Sequence, residues 1–224
     1  MTDSSQEVDF PFFGSGEIPN LAEVRFANWV TGPAGEFRFA DFGGQSSLTS
    51  IYAPRLEGNS TLSVEIGGNP NLAEVDLSAL KEAENVVISG NRELVDVKLP
   101  ELTTVANFLV IIGNENLVGI SIPVLTTSSN EFQVYGNSNL QTLCAPNLED
   151  GGSVCIGNES DQQSLDADLS SLVTGTFAGF STGICYGGTD PPTNQLNATK
   201  VCGKEVNGLF SDIGCPSAGC PETP

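Results

Sequence analysis

The chain has no histidine, one tryptophan and one methionine, and only eight lysines and arginines in 224 residues. Without histidine it lacks the usual general base and the commonest zinc ligand, leaving carboxylates as the main resource for acid–base chemistry. Cations are scarce beside 28 aspartates and glutamates, giving a net charge of −20. Such a surface repels nucleic acid and anionic lipid, so nucleic acid is excluded as a partner. It suits a cationic partner or a salty, calcium-rich setting, or serves solubility alone. No run of eighteen apolar residues exists, so no membrane-spanning helix is expected. Cysteine is absent until position 144. The opening Met1–Ser5 does not read as a secretion signal; Met1 is expected to stand where a leader has been removed, with a cytosolic protein as the alternative. The end, Cys220–Pro224, is expected to precede a stalk or anchor.

What is abundant is glycine, 25 residues, and a repeat. Leu48, Leu72, Leu94, Leu117, Leu140 and Leu165 open similar segments 22 to 25 residues apart, and Leu21 opens a weaker copy. Each begins with alternating apolar residues, as in Leu94-Val95-Asp96-Val97-Lys98-Leu99-Pro100. Alternation turns one face of a strand inward, and the proline that follows cannot donate to a ladder, so it ends the strand. An apolar anchor comes next: Leu56, Leu80, Leu102, Leu125, Leu148 or Leu172. A second strand then closes on Gly-Asn at 68–69, 90–91, 113–114, 136–137 and 157–158. Both residue types tolerate positive φ, so the chain turns there.

A unit of about 23 residues with two short strands cannot bury its own apolar face, but stacked copies can. The expected fold is therefore all-β: a right-handed parallel β-helix, or solenoid, of six to seven coils. Parallel strands about 4.8 Å apart make a body roughly 30 Å long. Residues 1–20 are read as an N-terminal cap, 21–188 as the solenoid and 189–224 as a Cys-rich C-terminal cap. The asparagines of the turns are expected to stack as a ladder with a structural role. Long helices are rejected, although Lys81–Glu84 has the composition for one helical turn.

Six cysteines (Cys144, Cys155, Cys185, Cys202, Cys215 and Cys220) without CxxC spacing point to disulfides rather than metal. Cys155 and Cys185 each stand two residues before a glycine, which suggests one column in successive coils. A Cys144–Cys155 link and free thiols are the rivals, and Cys202, Cys215 and Cys220 staple the cap. With the sequons at Asn59, Asn158 and Asn197, the cysteines favour a secreted or cell-surface setting.

The run from Gly90 to Leu102, and its copy from Gly113 to Leu125, resembles the receptor L domain, the leucine-rich β-helical module of insulin and epidermal growth factor receptors. The likeness is closer still to its relatives among GPI-anchored fungal cell-wall proteins. The resemblance covers residues 48–158 well, and 19–47 and 159–188 loosely. It implies a right-handed solenoid, extracellular placement and a binding or structural role without catalysis. The Cys-rich furin-like segment that joins receptor L domains is missing, which argues against a growth-factor-receptor role.

The expected function is a non-catalytic module that recognises a protein or a glycan, needing no cofactor or metal. A structural or adhesive solenoid is the first alternative. A carbohydrate-active enzyme is the second, because Glu74, Asp76 and Asp96 fall on one outward face and glycoside hydrolysis needs paired carboxylates. Arg25 and Lys98 read as isolated cations on that face. Asp161, Asp166 and Asp168 lack the spacing of a calcium loop. The candidate binding face lies on the second strands. Counting back from each Gly-Asn turn puts Val64, Ile66, Val86, Ile88, Leu109, Ile111, Phe132 and Val134 inward. The outward set is Val87, Val110, Ile112, Tyr135, Val154 and Ile156, with Tyr186 extending it. A face open to water would alternate with polar groups. The expected cover is the chain's own terminal segment (Phe10–Phe13 or 190–224), a second copy in a homo-oligomer, or a partner.

Overall fold

The computed structural model describes residues 22–26, 35–40, 47–157, 166–168, 174–177 and 200–202. Sixteen strands follow in chain order. The first six are β1 (Glu23–Arg25), β2 (Gly35–Ala40), β3 (Ser50–Tyr52), β4 (Leu62–Gly67), β5 (Glu74–Asp76) and β6 (Glu82–Ser89). Next come β7 (Asp96–Lys98), β8 (Thr104–Ile112), β9 (Gly119–Ser121), β10 (Thr127–Ser128) and β11 (Glu131–Tyr135). The last are β12 (Thr142–Cys144), β13 (Asp150–Gly157), β14 (Asp166–Asp168), β15 (Thr174–Phe177) and β16 (Lys200–Cys202). No helix occurs among the described residues, and Lys81–Glu84, the one stretch with helical composition, leads into β6 instead. All pairings are parallel, each strand lying on its counterpart one coil away. The chain is a β-solenoid.

The first strands form two four-stranded sheets, β1-β3-β5-β7 and β9-β12-β14-β16. The second strands form one continuous sheet through β2, β4, β6, β8, β11 and β13, with β15 beyond. Residues 47–157 complete about five turns, fewer than the six to seven read from the sequence. The rungs β1, β2, β14, β15 and β16 continue the same ladders at either end. Of the segments read as caps, 1–20 lies outside the described residues, as does 189–224 apart from β16.

Two β-turns per coil convert sequence into shape. In the first, Leu56, Leu80, Leu102, Leu125 and Leu148 each donate a backbone N–H to the carbonyl three residues back, at 2.9–3.3 Å. Proline fills the second position at 54, 100, 123 and 146, where its fixed φ suits a turn. In the second, Leu72, Leu94, Leu117 and Leu140 donate in the same way to Asn69, Asn91, Asn114 and Asn137. Gly68, Gly90, Gly113 and Gly136 precede these asparagines with φ of 64–65°, the left-handed region. The Leu at the end of each turn is thereby aimed inward, and all nine are fully buried.

The core is a set of columns. Ile51, Val75, Val97, Ile120, Leu143 and Ala167 stack under the first strands. Val64, Val86, Leu109, Phe132 and Val154 stack under the second, beside Ile66, Ile88, Ile111, Val134 and Ile156. Fully burying one such side chain contributes about 1.5–3 kcal/mol, so adjacent coils hold each other.

The asparagine ladder runs beside these columns, as the sequence suggests. Asn69, Asn91, Asn114 and Asn137 are completely buried. Each Oδ1 from Asn91 onward accepts the backbone N–H of the asparagine one coil earlier, at 2.9–3.1 Å, and its side-chain amide at 3.2 Å. The amide groups of Asn91, Asn114 and Asn137 also donate to the carbonyls of Ile66, Ile88 and Ile111. The turn backbone, which no strand partner satisfies, is thus satisfied by side chains.

Candidate functional site

The outward face of the second sheet is built from three columns. The first holds Ser63, Asn85, Phe108, Glu131 and Ser153. The second holds Arg38, Glu65, Val87, Val110, Gln133 and Cys155. The third holds Gly67, Ser89, Ile112, Tyr135 and Gly157. Val87, Phe108, Val110, Ile112 and Tyr135 are therefore neighbours over three rungs, each half-buried. Polar residues bound them at both ends: Ser63 and Glu65 before, Glu131 and Gln133 after. Phe108 is an addition to the face: the same count back from Gly113 reaches it two places before Val110, where it pairs with the outward Asn85. β8 holds an extra residue relative to β6 just upstream, with a register shift between Ala83 and Asn85.

Val154 and Ile156 do not belong to this face. They pair with Phe132 and Val134 and are 2% and 5% exposed, so they are core. Three residues separate Thr127 from Glu131, but only two separate Asp150 from Ser153. Gly152, at φ 55°, makes the shorter path. Gly157 itself pairs with Tyr135, one place short of the turn glycine Gly136, so the strand is displaced by one place from the Gly-Asn count. Tyr186 lies outside the described residues.

The same displacement brings Cys155 to the outward column, yet it is fully buried, and both Cys155 and Cys144 are disulfide-bonded. Among the described residues no cysteine is free. β15 sets Phe177 beside Val154 in the next coil. Cys185, Cys215 and Cys220 lie outside the described residues, as do the side chain of Cys202 and the sequons at Asn158 and Asn197.

The outer face of the first sheet is polar and interlinked. Tyr52 donates its hydroxyl to Glu74 Oε2 at 2.7 Å, and Lys98 Nζ donates to Glu74 Oε1 at 2.9 Å. Lys98 also lies 3.7 Å from Asp96, and Arg25 sits over the Tyr52 ring at 4.5 Å and pairs with Glu23. Arg25 and Lys98 are therefore not isolated. The Lys98 and Tyr52 hydrogen bonds hold the Glu74 carboxyl below its ordinary pKa. The bond to Glu74 raises Tyr52 and Lys98, and partial burial raises Asp96. Three other cations pair across neighbouring coils: Arg38 with Glu65, Lys81 with Glu57 and Arg92 with Glu115, at 3.0–3.2 Å. The outer face of the first sheet is thus a polar network running from Arg25 through Tyr52 and Glu74 to Lys98. Among the described residues no group of three or more metal-ligating side chains occurs. Asp166 and Asp168 flank the buried Ala167 in β14, and Asp161 lies outside the described residues. Among the described residues no helix is long and apolar enough to cross a membrane.

No protein-family model, curated protein or solved structure matches this chain.

Proposed function

We propose that the chain is an extracellular, non-catalytic recognition module that binds a cationic protein through the outward face of its second sheet. The observation that carries this reading is the apolar group Val87, Phe108, Val110, Ile112 and Tyr135 in the middle of an otherwise polar face. Apolar surface gathered in one place is the usual mark of a protein contact. Three aliphatic side chains offer a sugar few hydrogen bonds, which favours a protein over a glycan. A net charge of −20 opposes the approach of a second copy and draws a basic partner. The disulfides at Cys144 and Cys155 agree with an oxidising compartment. The resemblance of Gly90–Leu102 to receptor L domains points to a cell-surface role as well.

The test is photo-crosslinking from position 110 at the surface of the source cells, followed by binding of the purified pair. A basic partner whose affinity falls tenfold or more in Val110→Lys/Ile112→Lys, but not in Ser121→Lys, supports the reading. A dimer that the double variant splits would replace the partner by a second copy. Binding to a glycan array that ignores the double variant would put the site elsewhere.

A further inference from the structure

We propose that Asn59 is a site of N-linked glycosylation, an inference that rests on the extracellular reading above. Of the asparagines in residues 47–157, only Asn59 is followed two places on by Ser or Thr; the four ladder asparagines are followed there by Asn or Glu. The acceptor needs that hydroxyl, and it needs a surface position, since an oligosaccharide cannot be buried.

The fold supplies both. Gly58 bridges Glu82, and Ser63 pairs with Asn85, so five steps of chain in this coil span what three span in the next. The two extra residues leave the wall of the solenoid as a turn, closed by Leu62 N–H on the Asn59 carbonyl at 3.1 Å. Ser60 and Thr61 are exposed, Asn59 is half-buried and Leu62 anchors the turn in the core. Inside the turn, Asn59 Oδ1 accepts the Thr61 backbone N–H at 2.8 Å and the Thr61 hydroxyl at 2.7 Å. Two donors on Oδ1 draw charge onto the oxygen and make the Nδ2 protons easier to lose.

The chemistry is a group transfer from a polyprenyl-diphosphate-linked oligosaccharide. Nδ2 forms a bond to the anomeric carbon and the bond from that carbon to the diphosphate oxygen breaks. Nδ2 gives up one proton, and the polyprenyl diphosphate leaves with the electron pair. The buried ladder asparagines cannot receive such a group without opening the core.

The experiment expresses the full chain behind a secretion leader in a glycosylating eukaryotic host. Intact mass is read before and after peptide N-glycosidase in heavy-oxygen water, with the peptide carrying position 59 sequenced. Most molecules are expected to convert Asn59 to labelled aspartate. Asn59→Gln and Thr61→Ala should remove the modification, Ser60→Ala should keep it, and Thr61→Ser should keep it at lower occupancy. Secreted, disulfide-bonded protein with a bare Asn59 overturns the proposal and leaves the extracellular reading intact. Modified Asn59 in protein that the host retains, with Cys144 and Cys155 reduced, keeps the site and overturns that reading.

Discussion

Replacing Asn114 with alanine tests the ladder as a source of stability. The Asn114 amide donates to the carbonyls of Ile88 and Ile112 and to Asn137 Oδ1, at 3.0–3.2 Å. Its Oδ1 accepts the Asn91 backbone N–H and side-chain amide. Two of these partners keep another bond in the variant. The Ile112 carbonyl still accepts Gly90 N–H, and Asn137 Oδ1 still accepts Asn114 N–H. The Ile88 carbonyl, paired in the β6–β8 ladder, keeps a backbone partner as well, so only the Asn91 N–H is left without one in a site closed to water. At about 1–3 kcal/mol for a buried polar group left unsatisfied, the expected cost is about 1–3 kcal/mol. Asn114→Asp sharpens the test. It retains the acceptor but loses the donor, setting a carboxylate against the Ile88 carbonyl and Asn137 Oδ1. Its folded-state pKa must rise above that of the unfolded chain. The variant is then most stable at acid pH and loses stability as pH rises through the folded pKa. Urea melts of the three proteins at two pH values, with exchange of the Asn91 amide, provide the readout. Asn114→Ala melting within 0.5 kcal/mol of the parent, with Asn91 still protected, would refute the reasoning.

Ile111→Ala and Leu102→Ala, both fully buried, should each cost about 2–5 kcal/mol in urea melts, against about 0.5 kcal/mol or less for the exposed Val118→Ala. Gly152→Ala should destabilise more than Gly113→Ala. Both glycines have positive φ, but a Cβ at 152 would meet the Asn130 carbonyl oxygen at 2.3 Å, whereas at 113 its nearest neighbour is 3.7 Å away. Tyr52 should titrate above the ordinary phenol range by absorbance, because its proton is held by Glu74, and Glu74→Gln should bring it down. Glu74 itself, with a lowered folded pKa, contributes stability at neutral pH that fades as pH falls through that pKa. Alkylation of the unreduced, unfolded protein should leave Cys144 and Cys155 unlabelled until a reductant is added.

The architecture was legible because its signals repeat. Leu at the end of each turn, proline after four of the first strands and Gly-Asn after the second strands state the same geometry in coil after coil. The outward face was legible only where the count between landmarks holds. Val87, Val110, Ile112 and Tyr135 follow from the glycine turns, but Val154 and Ile156 do not, because their strand reaches Gly157 opposite Tyr135, one residue short of the turn position. Nothing local marks that deletion, and in a period-two strand a single step exchanges inside for outside. Phe108 falls on the same count, two places before Val110, and extends the face by one alternate position. The ion pair that ties Lys98 to Glu74 on the first sheet was hidden because its members lie one coil apart. Lys98 and Glu74 are 24 residues apart in sequence but hydrogen-bonded in space.

That spacing also bears on how the chain folds. Every ladder in residues 47–157 joins residues 22 to 24 apart, and no strand waits for a partner from a distant part of the chain. The loop to be closed before the first rung forms is about a tenth of the chain length, and each later rung closes one of the same size. Contact order in that range belongs to fast-folding helical proteins rather than to β-sandwiches. Any two adjacent coils can serve as the nucleus, and growth proceeds outward from them one turn at a time. A chain emerging from a ribosome can complete its early coils while the later ones are still being synthesised.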